Sequence, residues 1–318
     1  MNILDTIGHT PLVDLVRMNL NPSVRVLVKL EGNNPGGSVK DRIGMAMIAG
    51  AERRGELRKG MTLLEATSGN TGIGISLVAA CKGYKTVLTM SEGVSVERRR
   101  VLSALGAEIV LTPEAHGTDG AILEARRMKE EAPDDYLLLD QFGNEDNVAA
   151  HYDGTGIEIW EQTRGEVDWF VAGMGTTGTL MGVARRLKEA KPSVRIMGVE
   201  PVMGHRVQGL KNMSEAIVPA IYDPSALDAK VTVRDEDAYE ASKRLAEEEG
   251  IFAGMSSGAA LKAGLDLARD LSSGTVVILL PDRGDRYLST VLYCKERCRL
   301  AACREEACRA CPGANAGL

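Results

Sequence analysis

The sequence predicts an open, doubly wound α/β fold whose functional groups gather at the carboxyl ends of parallel strands. Three observations carry that prediction. Short apolar runs alternate with segments of helical periodicity. Several runs are apolar almost throughout, as parallel strands buried on both faces must be. The runs also end in loops rich in glycine and hydroxyl residues, where an open α/β sheet binds its ligands. At roughly 150 residues per domain, 318 residues correspond to about two domains. A composition of 44% hydrophobic and 26% charged residues with 35 glycines excludes a disordered or collagen-like chain.

Taken in order, strands are expected at 26–30, 62–66, 86–90, 108–112, 136–139, 169–172, 194–199 and 276–280. Helices are expected at 39–54, 71–82, 95–106 and 235–249, with Ser38 a suitable N-cap for the first. A further helix is expected from Ala259, after the loop Gly254-Met255-Ser256-Ser257-Gly258. There is no long Pro/Ser-rich linker, and Gln141 to Asn147 is the candidate boundary. No window approaches 18 uninterrupted apolar residues, so no membrane span is expected. The start, Met1-Asn2-Ile3-Leu4-Asp5, lacks the basic and apolar pattern of a secretory signal, and a cytoplasmic location is the expectation.

Three loops carry the chemistry. In Asn33-Asn34-Pro35-Gly36-Gly37-Ser38-Val39-Lys40-Asp41-Arg42 a turn-forming stretch runs into a helix and places Lys40 in its first turn. The unpaired N–H groups there favour the neutral amine that a Schiff base with an aldehyde requires. Glu65-Ala66-Thr67-Ser68-Gly69-Asn70-Thr71-Gly72 brings hydroxyls, an amide and free N–H groups to the junction of a strand and a helix. That loop suits an anionic group, or equally a helix start capped by Ser68 or Asn70. Gly173-Met174-Gly175-Thr176-Thr177-Gly178 matches G-x-G-x-x-G after a strand, with Glu200 about 20 residues further on. Both a dinucleotide and a single phosphate at a helix N-terminus satisfy it.

The polar loop Asp140-Gln141-Phe142-Gly143-Asn144 follows another strand and points to one crevice lined by many loops. His9, His116, His151 and His205 have no ligand spacing and no G-x-S-x-G partner, so each reads as an ordinary surface or core histidine. A net charge of −6 argues against nucleic acid as a partner. Of six cysteines, Cys294, Cys298, Cys303, Cys308 and Cys311 crowd into residues 291–318, whose net charge is +2 against −8 for the rest. Their spacing fits no standard metal motif, and no metal is assigned.

Ile7-Gly8-His9-Thr10-Pro11-Leu12-Val13, Asn34 to Arg42, Thr67 to Gly72, and Gly175 to Thr179 occur in an order that resembles the cysteine synthases. These are pyridoxal phosphate enzymes of fold type II, the tryptophan-synthase-β-like fold. The resemblance runs from Asp5 to about Thr290, through Ser256-Ser257-Gly258 and Tyr287-Leu288-Ser289-Thr290. It implies two three-layer α/β/α domains: a small one at 36–144, and a large one from 1–35 with 145–290. The 291–318 tail is left unexplained.

The resemblance also assigns roles. Lys40 would form the Schiff base and then act as base, and Asn70 would bond the cofactor's phenolic oxygen. Gly175, Thr176, Thr177, Gly178 and Thr179 would hold its phosphate, and Ser256 would face its ring nitrogen. Thr67, Ser68, Thr71 and Gln141 would bind the substrate carboxylate. The implied reaction is β-replacement: an activated serine, O-acetylserine or O-phosphoserine, gives an α-aminoacrylate to which sulfide or another sulfur donor adds. A thiocarboxylated carrier protein is a possible donor, and the enzyme is expected to be a homodimer.

Two departures stand out. His9 replaces an asparagine and Thr177 a glycine common in the family. Gly175 to Gly182, with Val218-Pro219-Ala220-Ile221-Tyr222-Asp223-Pro224 and neighbouring segments, looks closer to the O-phosphoserine-using branch. That branch has an arginine for the leaving phosphate where this chain has Lys211, which retains the charge but not the bidentate fork. The alternatives are a cystathionine β-synthase-type or other β-replacement on the same fold, a nicotinamide-dependent oxidoreductase built on Gly173 to Gly178, and a non-catalytic sulfur or metal carrier acting through the tail.

Overall fold

The structure is a computed structural model that describes residues 1–67, 69–94, 96–288 and 290–293. The calls on Ser68 and on Cys294, Cys298, Cys303, Cys308 and Cys311 lie outside those residues.

Two sheets organise the described chain. The larger has the order β1 (Leu12–Asp14), β2 (Val24–Leu30), β10 (Gly274–Leu280), β7 (Trp169–Gly173), β8 (Arg195–Pro201), β9 (Ala229–Val233). It is parallel except where β1 pairs with β2. The smaller, wholly parallel, has the order β5 (Glu108–Thr112), β4 (Thr86–Ser91), β3 (Thr62–Ala66), β6 (Tyr136–Leu138). Its helices are α1 (Lys40–Arg54), α2 (Asn70–Lys82), α3 (Val96–Ala104) and α4 (Gly117–Glu131). The larger sheet carries α5 (Glu145–Ala150), α6 (Gly156–Gln162), α7 (Gly178–Ala190), α8 (Asp235–Glu248) and α9 (Met255–Asp270).

The apolar strands are buried as their composition demands. Val276, Ile278 and Leu280 enter one core, while the alternate Val277 and Leu279 enter another on the opposite face. The strands that periodicity does not reveal are β1 and β9, both sheet edges. β9 is only half-buried and alternates with the exposed Lys230 and Thr232. Val39 holds the N-cap position of α1, while the Ser38 hydroxyl still accepts the Lys40 N–H at 3.2 Å. α9 begins at Met255, four residues before the expected start, because Gly254 supplies an extended cap.

Each sheet reverses its strand order once. In the smaller, β4 and β6 lie on opposite sides of β3; in the larger, β8 and β10 lie on opposite sides of β7. Loops at such switch points part and leave a crevice. Residues from the loops after β3, β6, β7 and β10, namely Asn70, Gln141, Gly175 and Pro281, line one cavity.

Candidate active site

Lys40 opens α1, and the backbone before it is anchored to the other sheet. Val39 N–H donates to Pro281 O at 2.8 Å, and Ser38 bridges to Asp282. The Lys40 side chain is half-buried, with its accessible part turned to a cavity of about 90 Å³. Desolvation lowers its amine to about 8, against the opposing charge of Asp282.

The loop after β3 turns at Gly69, with φ +123°, and Gly69 holds the N-cap position of α2, with Asn70 its first helical residue. The Thr67 hydroxyl accepts from the N–H groups of Gly69 and Gly72 at 2.9 and 3.1 Å. Thr67 therefore shapes the loop and does not line the cavity. Asn70 Nδ2 donates to Asp282 Oδ2 at 2.7 Å, while Arg286 donates to Asn70 Oδ1. Thr71 Oγ1 donates to Gln141 Oε1 at 2.6 Å, and Gln141 Nε2 donates to Ala66 O at 2.7 Å. Glu65, buried at the end of β3, accepts the Gln141 N–H, and burial next to Asp140 pushes its carboxyl up to about 8. Burial thus favours the protonated form of the Glu65 carboxyl that holds the Gln141 backbone, and nothing in the sequence signals it.

The loop after β7 is the tightest part of the site. A Cβ on Gly175 would lie 2.7 Å from Gly209 O, and one on Gly178 would lie 2.0 Å from Asn147 Oδ1. Met181 N–H bonds back to Thr177 O, so the N–H groups of the preceding turn have no intrahelical partner. Thr177 itself takes φ +67°. A β-branched residue there is strained by about 1–2 kcal/mol, which gives a physical reason for the glycine common at this position. Thr177→Gly is expected to raise stability by about 0.5 kcal/mol once the greater freedom of glycine in the unfolded chain is discounted. Chemical denaturation of the apoprotein measures it, and a loss of stability would mean that the Thr177 hydroxyl, which donates to Thr176 O, outweighs the strain. His9, at φ +49°, occupies the same left-handed region, one that asparagine tolerates better.

The cavity brings together Lys40, Asn70, Thr71, Gln141, Gly175, Thr176, Thr177, Thr179, Ser256 and Lys211. Gly178 lies behind it, packed on Asn147. Asn147 ties two walls together by donating to Gln141 O at 2.7 Å and to Thr176 Oγ1 at 3.1 Å. Lys211 is buried, pairs with Asp119 Oδ1 at 2.8 Å, and sits 4.9 Å from the Phe142 ring centroid. Thr118, Gly209, Leu210 and Lys211 also border an outer cavity of about 850 Å³. Glu200 is spent elsewhere, on Lys230 at 2.9 Å and on the Met213 N–H, which removes the acidic residue of the dinucleotide reading.

A desolvated amine of lowered basicity thus faces a helix N-terminus with a glycine cradle and three threonine hydroxyls. That donor set fits a phosphorylated aldehyde cofactor. The fold and the site define a pyridoxal-phosphate-dependent enzyme, and the family model "Pyridoxal-phosphate dependent enzyme" matches residues 3–282: the chain belongs to that family. Within it, the chain is 48% identical over 291 residues to cysteine synthase B of Pseudomonas aeruginosa, covering 92% of this chain and 97% of that one. The solved cysteine synthase of Entamoeba histolytica superposes with a TM-score of 0.86 at 43% identity, covering 92% and 90%. A solved O-ureido-L-serine synthase gives 0.85 at 41% identity, covering 92% and 94%. Among the described residues, no helix is long and apolar enough to cross a membrane.

Proposed function

We propose that the chain is a cysteine synthase that exchanges the acetate of O-acetylserine for sulfide. The observation that carries this reading is the Lys40 amine, desolvated and facing the cradle of residues 175–179 across one cavity. Lys40 would hold the cofactor through its amine, Gly175 to Thr179 its phosphate, Asn70 its phenolic oxygen and Ser256 its ring nitrogen. Bound pyridoxal phosphate supplies an electron sink that acidifies the Cα–H of an attached amino acid and eases loss of its β-substituent. Ser68, Thr71 and Gln141 orient the substrate carboxylate, and Thr67 keeps their loop in shape. The bond between Thr71 and Gln141 would be exchanged for bonds to that carboxylate. Lys40 takes the Cα proton as acetate leaves with its electron pair, and returns it once sulfide has bonded to Cβ. The neutral Ser256 hydroxyl carries no negative charge to hold a proton on the ring nitrogen, which favours elimination over a long-lived carbanion.

Asp119 bears on the choice of activated serine. It neutralises Lys211 and also accepts the Ile217 N–H at 2.9 Å, so a doubly charged phosphate would meet a carboxylate beside its lysine. This supports O-acetylserine over O-phosphoserine. Asp119→Asn should raise kcat/KM for O-phosphoserine relative to O-acetylserine by roughly tenfold, and adding Lys211→Ala should cancel the gain. Steady-state kinetics with both substrates measures it; an unchanged ratio in both variants would remove the pair from substrate choice.

Residues 36–144 as a small domain and 1–35 with 145–290 as a large one, a homodimeric assembly and a cytoplasmic location complete the proposal, all on the strength of the family resemblance. The likeness to O-ureido-L-serine synthase favours, as a second reading, β-replacement with another nucleophile. Product analysis with O-acetylserine and either sulfide or competing nucleophiles separates the two.

A further inference from the structure

We propose that His151 is a positioning residue for the cofactor phosphate, donating from Nε2–H to Thr179 Oγ1 so that the Thr179 proton is directed into the cavity. The proposal rests on reading residues 175–179 as the phosphate cradle. His151 and Thr155 are wholly buried at the two ends of a π-helical turn, His151–Thr155, inserted between α5 and α6. Such turns recur at functional sites, where they re-aim a side chain. His151 Nδ1 lies 2.9 Å from Thr155 Oγ1, and Nε2 lies 3.2 Å from Thr179 Oγ1. The ring therefore stands directly behind a hydroxyl that lines the cavity. A Cβ on Gly182 would come within 2.7 Å of His151 Cβ, so α7 packs closely on the turn that carries His151.

Burial, then the charges of Lys40 and Arg42 against that of Glu158, hold His151 well below its ordinary range, so the ring is neutral. A neutral imidazole has one N–H and one lone pair, and the two tautomers present opposite faces to the ligand. With the proton on Nδ1, Thr179 would give its own proton to Nε2 and turn lone pairs toward the anion. With the proton on Nε2, Thr179 accepts from the ring and keeps its proton for the anion. Thr155 selects the second arrangement. The Thr155 hydroxyl is fully buried and, among the described residues, makes its hydrogen bond to Nδ1, so its proton finds an acceptor there only when Nδ1 carries the lone pair. The relay runs Thr155 O–H to Nδ1, Nε2–H to Thr179 Oγ1, and Thr179 O–H to the phosphate.

The test reads binding and tautomer rather than turnover. Long-range ¹H–¹⁵N correlation spectra of the wild-type holoprotein should show the Nε2–H form; the Nδ1–H form would overturn the proposal without any variant. Apoprotein affinity is then measured for pyridoxal phosphate and for pyridoxal, which lacks the phosphate. Thr155→Val and His151→Leu should weaken pyridoxal phosphate about tenfold while changing pyridoxal less than twofold. His151→Gln, which retains an N–H donor, should recover part of the loss. Equal losses for both ligands, or no loss in Thr155→Val, would reduce His151 to packing. A wild-type apoprotein that binds both equally would overturn the cradle reading, and the proposal with it.

Discussion

Lys40→Ala is expected to abolish turnover, by about a thousandfold or more, and to give a protein that no longer carries the yellow colour of bound cofactor. One amine serves twice, as the attachment point and as the proton carrier, so no neighbour replaces it. The pH behaviour follows from the same burial. Only the neutral amine attacks an aldehyde, and desolvation brings Lys40 to about 8 against the opposing pull of Asp282. Uptake of pyridoxal phosphate by the apoprotein should therefore accelerate as pH rises through about 8 and level off above it. Asp282→Asn removes a charge that stabilises the ammonium form, so it should move that rise to lower pH. Stopped-flow absorbance measures both. A Lys40→Ala protein that kept its colour and yielded another modified lysine after reduction would displace Lys40 from the centre.

The parts of this site that are local in sequence were legible there. Glycine and hydroxyl residues at the ends of apolar strands mark Lys40, Asn70 and residues 175–179, because tight backbone approach and a free helix start impose that composition within a few positions. Strands such as β7 and β10 were legible for the same reason, since a strand buried on both faces must be apolar throughout, while β5 and β6 carry short apolar runs although they are edges and only partly buried. The edge strands β1 and β9 bury one face at most and leave a weaker signature. What supports the site is not local. Asp282 meets Asn70 across 212 positions, Asp119 meets Lys211 across 92, and His151 meets Thr179 across 28. No periodicity links such partners, and each was read alone: His151 as an ordinary histidine, Lys211 as a cation for a leaving phosphate with no carboxylate beside it. Glu200 shows the converse. Its spacing satisfied a dinucleotide pattern, yet its carboxylate faces Lys230.

Glu158→Gln should be the most destabilising single change outside the cavity, at about 3–5 kcal/mol, because it breaks a buried ion network from within. Glu158 accepts from Arg42 Nη1 at 2.6 Å and Nη2 at 2.8 Å, from Lys29 Nζ at 2.6 Å, and from the N–H groups of His9 and Thr10. Glu31 balances Arg42 from the other side at 2.7 Å, so two cations face two anions. The amide would leave Lys29 and Arg42 against Glu31 alone, and would weaken the hold of α6 on the His9 and Thr10 N–H groups, with the Gln162 bond to Thr10 O still in place. The sign of the pH dependence separates this from a loss of packing. In the wild type, burial opposes the charge on Glu158, but Arg42 and Lys29 outweigh it and hold the carboxyl well below its usual range. Its contribution is therefore present above the ordinary carboxylate pKa and fades as pH falls below it. In Glu158→Gln that acid-limb term is gone. Lys29, already lowered by desolvation, loses the partner that opposed the shift, so it gives up its proton more readily in the folded chain. Between that folded value and the ordinary lysine range the unfolded chain binds more protons, so the variant should recover stability as pH rises. Urea denaturation across neutral to alkaline pH measures the recovery. Adding Lys29→Met should restore part of the loss at neutral pH by removing the uncompensated charge. A deficit that stayed constant with pH and was unrelieved by Lys29→Met would assign the cost to lost hydrogen bonds and packing rather than to charge.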